Sequence, residues 1–276
     1  MGRKHTFYPF FADTPVKFLI LFKLLLFTQS PSQTDMQINL FSGFLCVLFL
    51  FFSPTINGQI IKRQYATVEN MSRLEANNTT VQTQKTAYED FVASIFTFST
   101  KEWEQVDTLP IIFHIIYSSE TDKPSLEQIE LQINALNRDF RKEASVINHP
   151  ADTLEGFADR AADTGISFRL ADVQLEGQTS KGINYMQVAT NEWGIDDAVK
   201  FDSLGGMSVF EPDKYINVWV CDQTSNTVGY AQMPWGPNAT DGIVIDYQVF
   251  GIGGTTTAPY DEGKTLTHLM GNYLGL

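Results

Sequence analysis

The sequence predicts an α+β protein: a twisted mixed sheet with a backing helix and a second helix at its carboxyl end. Two β-branched and aromatic runs, residues 109–117 and 215–221, have the length and composition of buried strands. Between them lies a segment with helical apolar spacing, and a shorter helical segment ends the chain. Strands and helices that alternate in this way favour a sheet layered with helices.

The first strand and the first helix have clear boundaries. His114 lies inside the run Leu109 to Tyr117, and we expect it to be a buried sheet histidine rather than a metal ligand. Ser125 then precedes a helix that reaches about Arg141, with acidic and amide side chains in its first turn as a capping signature. Its apolar face follows helical spacing through Leu126, Ile129, Ile133, Leu136 and Phe140.

The later elements are shorter. Residues 166–175 alternate apolar and polar side chains, which is typical of a half-buried strand. Pro234 ends a short strand in a way that suits the edge of a sheet. The other predicted elements are a short helix over 191–204, a central strand over 215–221, strands over 228–233 and 242–247, and a final helix over 262–274.

Composition divides the chain into three parts, 1–58, 59–106 and 107–276. The first contains two apolar runs too short to span a membrane, and residues 40–52 have the size of a signal-peptide core. Met36 lies just upstream of this core, and we expect translation to start there. We therefore expect export to a secreted or extracytoplasmic location, without stable membrane association after the leader is removed. Residues 59–106 are polar and show no strong apolar period, so we interpret them as a pro-segment or spacer.

Charge and cysteine content exclude some classes of partner. Residues 59–276 hold 15 Lys and Arg against 30 Asp and Glu, and this acidic balance disfavours nucleic acid. Cys221 is the only cysteine in this part of the sequence. It is either a thiol whose partner lies elsewhere or a small buried side chain on a core strand, and the sequence does not decide between them.

The last twelve residues, TLTHLMGNYLGL, resemble the zinc-protease helix H-E-x-x-H-x-x-G-x-x-H. Two histidines four residues apart project from one helix face and grip a zinc ion, and the glutamate accepts a proton from the attacking water. Here His268 holds the first ligand position and Gly275 the glycine position. Leu269 replaces the glutamate and Asn272 replaces the second histidine.

Further segments in the same order extend the resemblance over residues 107–276. They are LPIIFHIIY (109–117), EQIELQINALNRDFR (127–141), KYINVWVC (214–221), GYAQMP (229–234), DGIVIDY (241–247) and GKTLTH (263–268). Together they resemble the pappalysin (cytophagalysin) metalloproteases. The resemblance implies a secreted zinc endopeptidase of the metzincin type acting on protein or peptide substrates, of which residues 107–276 supply a truncated upper subdomain.

The resemblance also assigns residues. His268 is the remnant first metal ligand, and a helix histidine that is buried or half-buried without metal is the alternative. The third ligand of the family would fall two residues beyond Leu276. Zinc is the cofactor expected from the family, but we do not expect this chain to bind it, and we assign no catalytic residue. By the same resemblance Gly229, Tyr230, Ala231 and Gln232 form the rim strand that pairs with an extended substrate.

Three functions remain open from the sequence. The first is an exported member of the protease family that is inactive as written. The second is an active zinc protease whose recorded sequence contains an error, although a change from glutamate to leucine needs more than one base substitution. The third is a non-catalytic module that uses the rim to hold peptides.

Overall fold

The computed structural model of the protein describes residues 63–95, 106–142, 163–224 and 226–276. The predicted leader, residues 1–58, lies outside the described residues. Within the described part, seven strands form one sheet and four α-helices accompany it. The strands are β1 (Gln64–Tyr65), β2 (Asp107–Tyr117), β3 (Ile166–Leu170), β4 (Ile183–Gln187), β5 (Ile216–Cys221), β6 (Thr227–Ala231) and β7 (Ile243–Asp246). The helices are α1 (Thr67–Asn77), α2 (Thr79–Ile95), α3 (Leu126–Phe140) and α4 (Lys264–Tyr273).

The sheet is mixed, as predicted. Its strands follow the order β1-β6-β7-β5-β2-β3, and β4 also pairs with β2, beyond the part of β2 that pairs with β3. Every pair is parallel except β6 with β7, which is antiparallel. The run 215–221 therefore forms an interior strand, and β6 lies one strand in from the edge that β1 forms.

Helices α3 and α4 cover one face of the sheet. Ser125 caps α3, since its Oγ accepts a hydrogen bond of 3.1 Å from the backbone N–H of Gln128, which confirms the predicted start of this helix. The core on this face consists of apolar side chains from the sheet, from α3 and from α4. Its members include Ile111, Phe113, Ile115, Val218, Val220, Ile243 and Ile245 from the sheet, Ile129, Ile133, Leu136 and Phe140 from α3, and Leu266, Leu269 and Met270 from α4.

The opposite face of the sheet is covered by irregular chain between β4 and β5. Trp193, Val199 and Met207 pack there against Trp219 and other sheet residues. His114 lies on the same side, buried as predicted, with its Nε2 at 2.8 Å from Asn217 Oδ1 and its ring stacked on Trp219. Burial lowers the pKa of His114 from 6.5 to about 4, so it is a neutral core side chain.

Cys221 takes the second of its two predicted states. Its side chain is buried in the cluster beneath the irregular segment, and its sulfur accepts a hydrogen bond of 3.2 Å from Gln223 Nε2. Burial raises the pKa of the thiol well above its ordinary value, so the thiolate that reactive cysteines need is strongly disfavoured.

Two features between residues 183 and 206 differ from the prediction. The single helix predicted over 191–204 is wrong: two short 3₁₀ turns, Ala198–Lys200 and Asp202–Leu204, stand in its place. Asp197 has a left-handed backbone, with a φ of 67°, and a continuous right-handed helix cannot pass through such a residue. Strand β4 was not predicted, because its short run of mixed side chains gives little apolar signal.

The polar segment that precedes residue 106 is more ordered than its composition indicated. Residues 63–95 form β1, α1 and α2, and these pack against the sheet and α4. A few well-spaced side chains provide the contact, namely Ala66, Thr67, Asn70, Met71 and Val81, each at most 7% exposed. None of the described helices is both long and apolar enough to cross a membrane.

Candidate functional site

Helix α4 is fixed to the rest of the fold at its amino end. It begins after Gly263, whose backbone is left-handed with a φ of 74°. Asp139 on α3 accepts hydrogen bonds of 2.7 Å from both Lys264 Nζ and Thr267 Oγ1. Because Leu266, Leu269 and Met270 are fully buried beneath the helix, its opposite face is presented outward beside β6.

His268 lies on that outward face. Its side chain is exposed, which makes the alternative of a buried helix histidine wrong. Asn272, one turn later, places its Nδ2 at 3.4 Å from His268 Nε2. The ring of Tyr65, from β1, lies 4.2 Å from the imidazole between ring centroids, so the N-terminal segment covers one side of the histidine.

Leu269, at the position of the general base, takes part in packing. Its side chain is fully buried in the main core, between α4 and the sheet. A β-carbon placed on Gly229 of β6 would come within 3.0 Å of Leu269 Cδ1 and 2.3 Å of Val244 O. The leucine therefore fills the space between the helix and β6.

The predicted rim residues lie together on and just after β6, but their hydrogen bonds are already used. Gln64 N–H donates to Asn226 O at 2.9 Å, and Ala66 N–H donates to Gly229 O at 3.0 Å. The N–H of Ala231 donates to Thr67 Oγ1 at 3.1 Å. The chain's own residues 64–67 thus occupy the edge of β6 to which an extended peptide would be added.

Tyr230 and Gln232 have structural surroundings instead. The Tyr230 ring is fully buried on the other face of the sheet. The side chain of Gln232 joins the following loop, with hydrogen bonds to Pro237 O at 3.0 Å and from Thr240 Oγ1 at 2.6 Å. Of the four predicted positions, Gly229 and Ala231 are therefore the ones that offer backbone groups to a paired strand.

Two arginines attach the N-terminal segment on either side of β1. Arg63 forms an ion pair of 2.8 Å with Asp246 at the end of β7, and Arg73 pairs with the buried Asp197. The contacts of both arginines were not predicted from the sequence, and neither were those of Tyr65 and Thr67 with α4. The available signal was weak: basic side chains in an otherwise polar and acidic segment.

The donor set at α4 does not fit a catalytic zinc. Such a zinc takes three protein ligands from His, Cys, Asp or Glu, whereas His268 is followed here by a neutral amide. Among the residues that the structure describes, no three such side chains converge to hold a metal. The carboxylate of Asp241 is bound by α4 in another way, since Tyr273 Oη donates to Asp241 Oδ2 at 2.8 Å and burial raises the pKa of both groups.

In this mixed sheet, β6 lies one strand in from the edge and beside α4, which carries a histidine at the first ligand position. This arrangement is that of the upper part of a metzincin-type metalloprotease. Solved structures agree. Mature mirolysin of Tannerella forsythia in complex with a cleaved peptide is 35% identical over 63% of this chain and 65% of its own, with a TM-score of 0.58. A promirolysin mutant from the same organism is 32% identical over 77% of this chain and 68% of its own, with a TM-score of 0.64.

The chain therefore belongs to the pappalysin family, as its ordered motifs predicted. Mirolysin in complex with a small compound gives a similar match, 36% identical with a TM-score of 0.57. An uncharacterized protein of Acanthamoeba polyphaga mimivirus is 29% identical over 99 residues, 35% of this chain and 11% of the viral protein. No family model matches the chain. The chain spans 65% of the length of the compound-bound and of the peptide-bound mirolysin structure.

Proposed function

We propose that this protein is an exported pappalysin-family member that does not hydrolyse peptide bonds and whose rim strand holds an extended peptide segment. The observation that carries the proposal is the pairing of β1 with β6 beside His268, because it is strand addition at the strand that the resemblance assigns to peptide binding. In the described state the occupant is the chain's own residues 64–67.

Two substitutions support the absence of hydrolysis. Leucine has no proton acceptor, and the loss of a general base alone lowers a rate by about 100- to 10,000-fold. Asn272 offers a neutral amide, which suits hard cations better than zinc. Its Nδ2 lies 3.4 Å from both His268 Nε2 and Thr67 Oγ1, so the amide is shared between the helix and the N-terminal segment.

The comparisons support a pro-segment role for the N-terminal residues. The covered share of this chain is 63% against mature mirolysin and 77% against promirolysin. We propose that residues 59–106 are a pro-segment, of which 63–95 pack over the rim and α4. Export is supported by the signal-peptide pattern at residues 40–52, which lies outside the described residues.

The test is a comparison of two full-length proteins with zinc supplied. The wild-type chain and a His268→Ala variant are incubated with a pool of quenched fluorescent peptides, and the initial rates are compared. We expect equal rates, because the remaining histidine has no catalytic partners. A wild-type rate about tenfold or more above that of the variant would overturn the proposal, since it would show that His268 takes part in hydrolysis.

A further inference from the structure

Asp197 lies in a buried cluster of charged side chains next to the N-terminal segment. Its side chain is 2% exposed, and Lys200 Nζ, fully buried, lies 2.9 Å from its Oδ1. Lys200 also donates to Thr240 O at 2.6 Å and lies over the rings of Trp219 and Tyr230. Lys200, from the loop that covers the sheet, therefore forms an ion pair with one oxygen of this carboxylate independently of the N-terminal segment.

The other oxygen, Oδ2, is bound entirely by α1. Asn70 Nδ2 donates to it at 3.1 Å and also donates to Ile195 O at 2.9 Å. Arg73 donates to the same oxygen through Nη2. Asn70 and Arg73 are three residues apart and so project from the same face of the helix.

The donors at Oδ2, rather than charge balance, indicate what this site selects, because Lys200 alone already neutralises Asp197. Without α1, Oδ2 loses the two donors named above, so a bound segment has to supply donors at the same place. A planar guanidinium fits such an oxygen better than an ammonium group, because it is less strongly hydrated and carries several fixed donors.

The spacing from the rim to this site is fixed by the structure. Tyr65 pairs with Gly229, Ala66 lies in the apolar cluster beside Trp193, and Arg73 follows eight residues after Tyr65. A ligand that uses both places must therefore be extended across β6 and helical beyond it.

We propose that Asp197 is a specificity-determining residue for peptides at the rim, selecting those with an arginine eight residues after the residue paired with Gly229. The inference rests on the proposed function, because it names the class of peptide that the rim accepts. The occupant is the chain's own segment, residues 63–95, and a synthetic peptide of this segment is the probe that reports the selection.

The experiment uses the full chain with Arg73→Gln, which removes the guanidinium from Asp197 and so weakens the attachment of the internal segment. Labelled synthetic peptides of residues 63–95 are titrated into it and followed by fluorescence anisotropy: the wild-type sequence, Arg73→Gln, Arg73→Lys and the exposed control Glu89→Gln. We expect the Arg73→Gln peptide to bind about 10- to 100-fold more weakly than wild type, the range for a lost charge-assisted hydrogen bond. The Arg73→Lys peptide should be intermediate, and the Glu89→Gln peptide should equal wild type.

The added peptide competes with the chain's own tethered segment, which has an effective concentration of about 1 mM. Because Arg73→Gln weakens that segment about 10- to 100-fold, the wild-type peptide should bind this chain with an apparent Kd of about 10–100 μM. A second chain, with Arg73→Gln, Asp197→Asn and Lys200→Met combined, removes both buried charges together. There the preference for the arginine peptide should disappear.

The outcomes separate the two proposals. Equal binding of the wild-type and Arg73→Gln peptides to the Arg73→Gln chain overturns the role of Asp197 and leaves peptide binding at the rim intact. Binding of neither peptide overturns this proposal and the holding of peptide at the rim, while the absence of hydrolysis is decided by the rate comparison above. A preference that persists without Asp197 places the selection elsewhere and overturns this one.

Discussion

At the scale of single residues, the two positions of α4 that lack the residues of the zinc-protease motif still make structural contacts. Leu269 is a core residue between α4 and the sheet, and Asn272 joins His268 to the N-terminal segment. Both substitutions were readable from the sequence because the motif fixes their spacing. Their surroundings could not be predicted, because Tyr65 and Thr67, which contact the helix, lie about 200 positions earlier in the sequence.

His114 makes the stability of the fold depend on pH. Its pKa in the folded state is about 4, below the ordinary value of 6.5, so the unfolded chain binds a proton more readily. Its contribution is complete above about pH 6.5 and is lost as the pH falls towards 4, by up to about 3 kcal/mol. We expect His114→Phe to lose less stability than wild type over this range, as measured by urea unfolding at several pH values.

Phenylalanine is the matched replacement at this position. It keeps an aromatic ring against Trp219, and Asn217 Oδ1 still accepts a hydrogen bond from the backbone N–H of Phe210. Thr86→Val, at an exposed position on α2 without an ionisable group, serves as the control and should retain the wild-type slope. Parallel slopes for wild type and His114→Phe would contradict the assignment.

At the scale of elements, the sequence predicted those whose own side chains carry the signal. Strand β5 is a continuous apolar run and helix α3 has a cap and a regular apolar face, so both were predicted within a few residues. Helix α1 was missed because its contact with the body depends on Asn70, Met71 and Arg73, which carry no strong apolar period. The left-handed Asp197 that interrupts the predicted helix at 191–204 gave no sequence signal.

Strand β6 depends on a glycine at its centre. Gly229 has a φ of 146°, and an added β-carbon would lie 2.3 Å from Val244 O on the neighbouring strand. We expect Gly229→Ala to lower the free energy of unfolding by about 2–4 kcal/mol, because backbone atoms must move to admit the methyl group. Urea denaturation provides the measurement.

The control for this prediction is Gly205→Ala. Gly205 also has a positive φ, 84°, but no atom lies within 4 Å of the added carbon. Only the conformational term of about 1 kcal/mol should appear there. If both alanine variants lose the same free energy, steric conflict at β6 is not the cause.

At the scale of the whole molecule, residues 63–95 are joined to the rest of the fold by contacts of three different kinds. They comprise strand pairing at β6, the ion pairs of Arg63 and Arg73, and the buried hydroxyl of Thr67. Sequence reasoning could place this segment before the protease-like domain but not on it, because none of these contacts is local in the chain.

Thr67 offers a direct measure of that attachment. Its Oγ1 accepts the N–H of Ala231, and both residues are buried. Thr67→Val keeps the shape and removes the acceptor, which costs about 1–3 kcal/mol. We expect hydrogen exchange at the Ala231 amide to become at least about fivefold faster. Thr86→Val, at an exposed position on α2, should leave that amide unchanged, and equal protection in both variants would show that Thr67 does not hold the segment.

The parallel pairing of β1 with β6 also bears on self-association. A sheet edge exposes a row of unsatisfied backbone groups, through which one molecule can join another. Here the carbonyl oxygens of Asn226 and Gly229 are bound by residues synthesised about 160 positions earlier. The covering strand leaves the ribosome before the strand it covers, so from the moment β6 folds the chain already holds the means of closing that edge against aggregation.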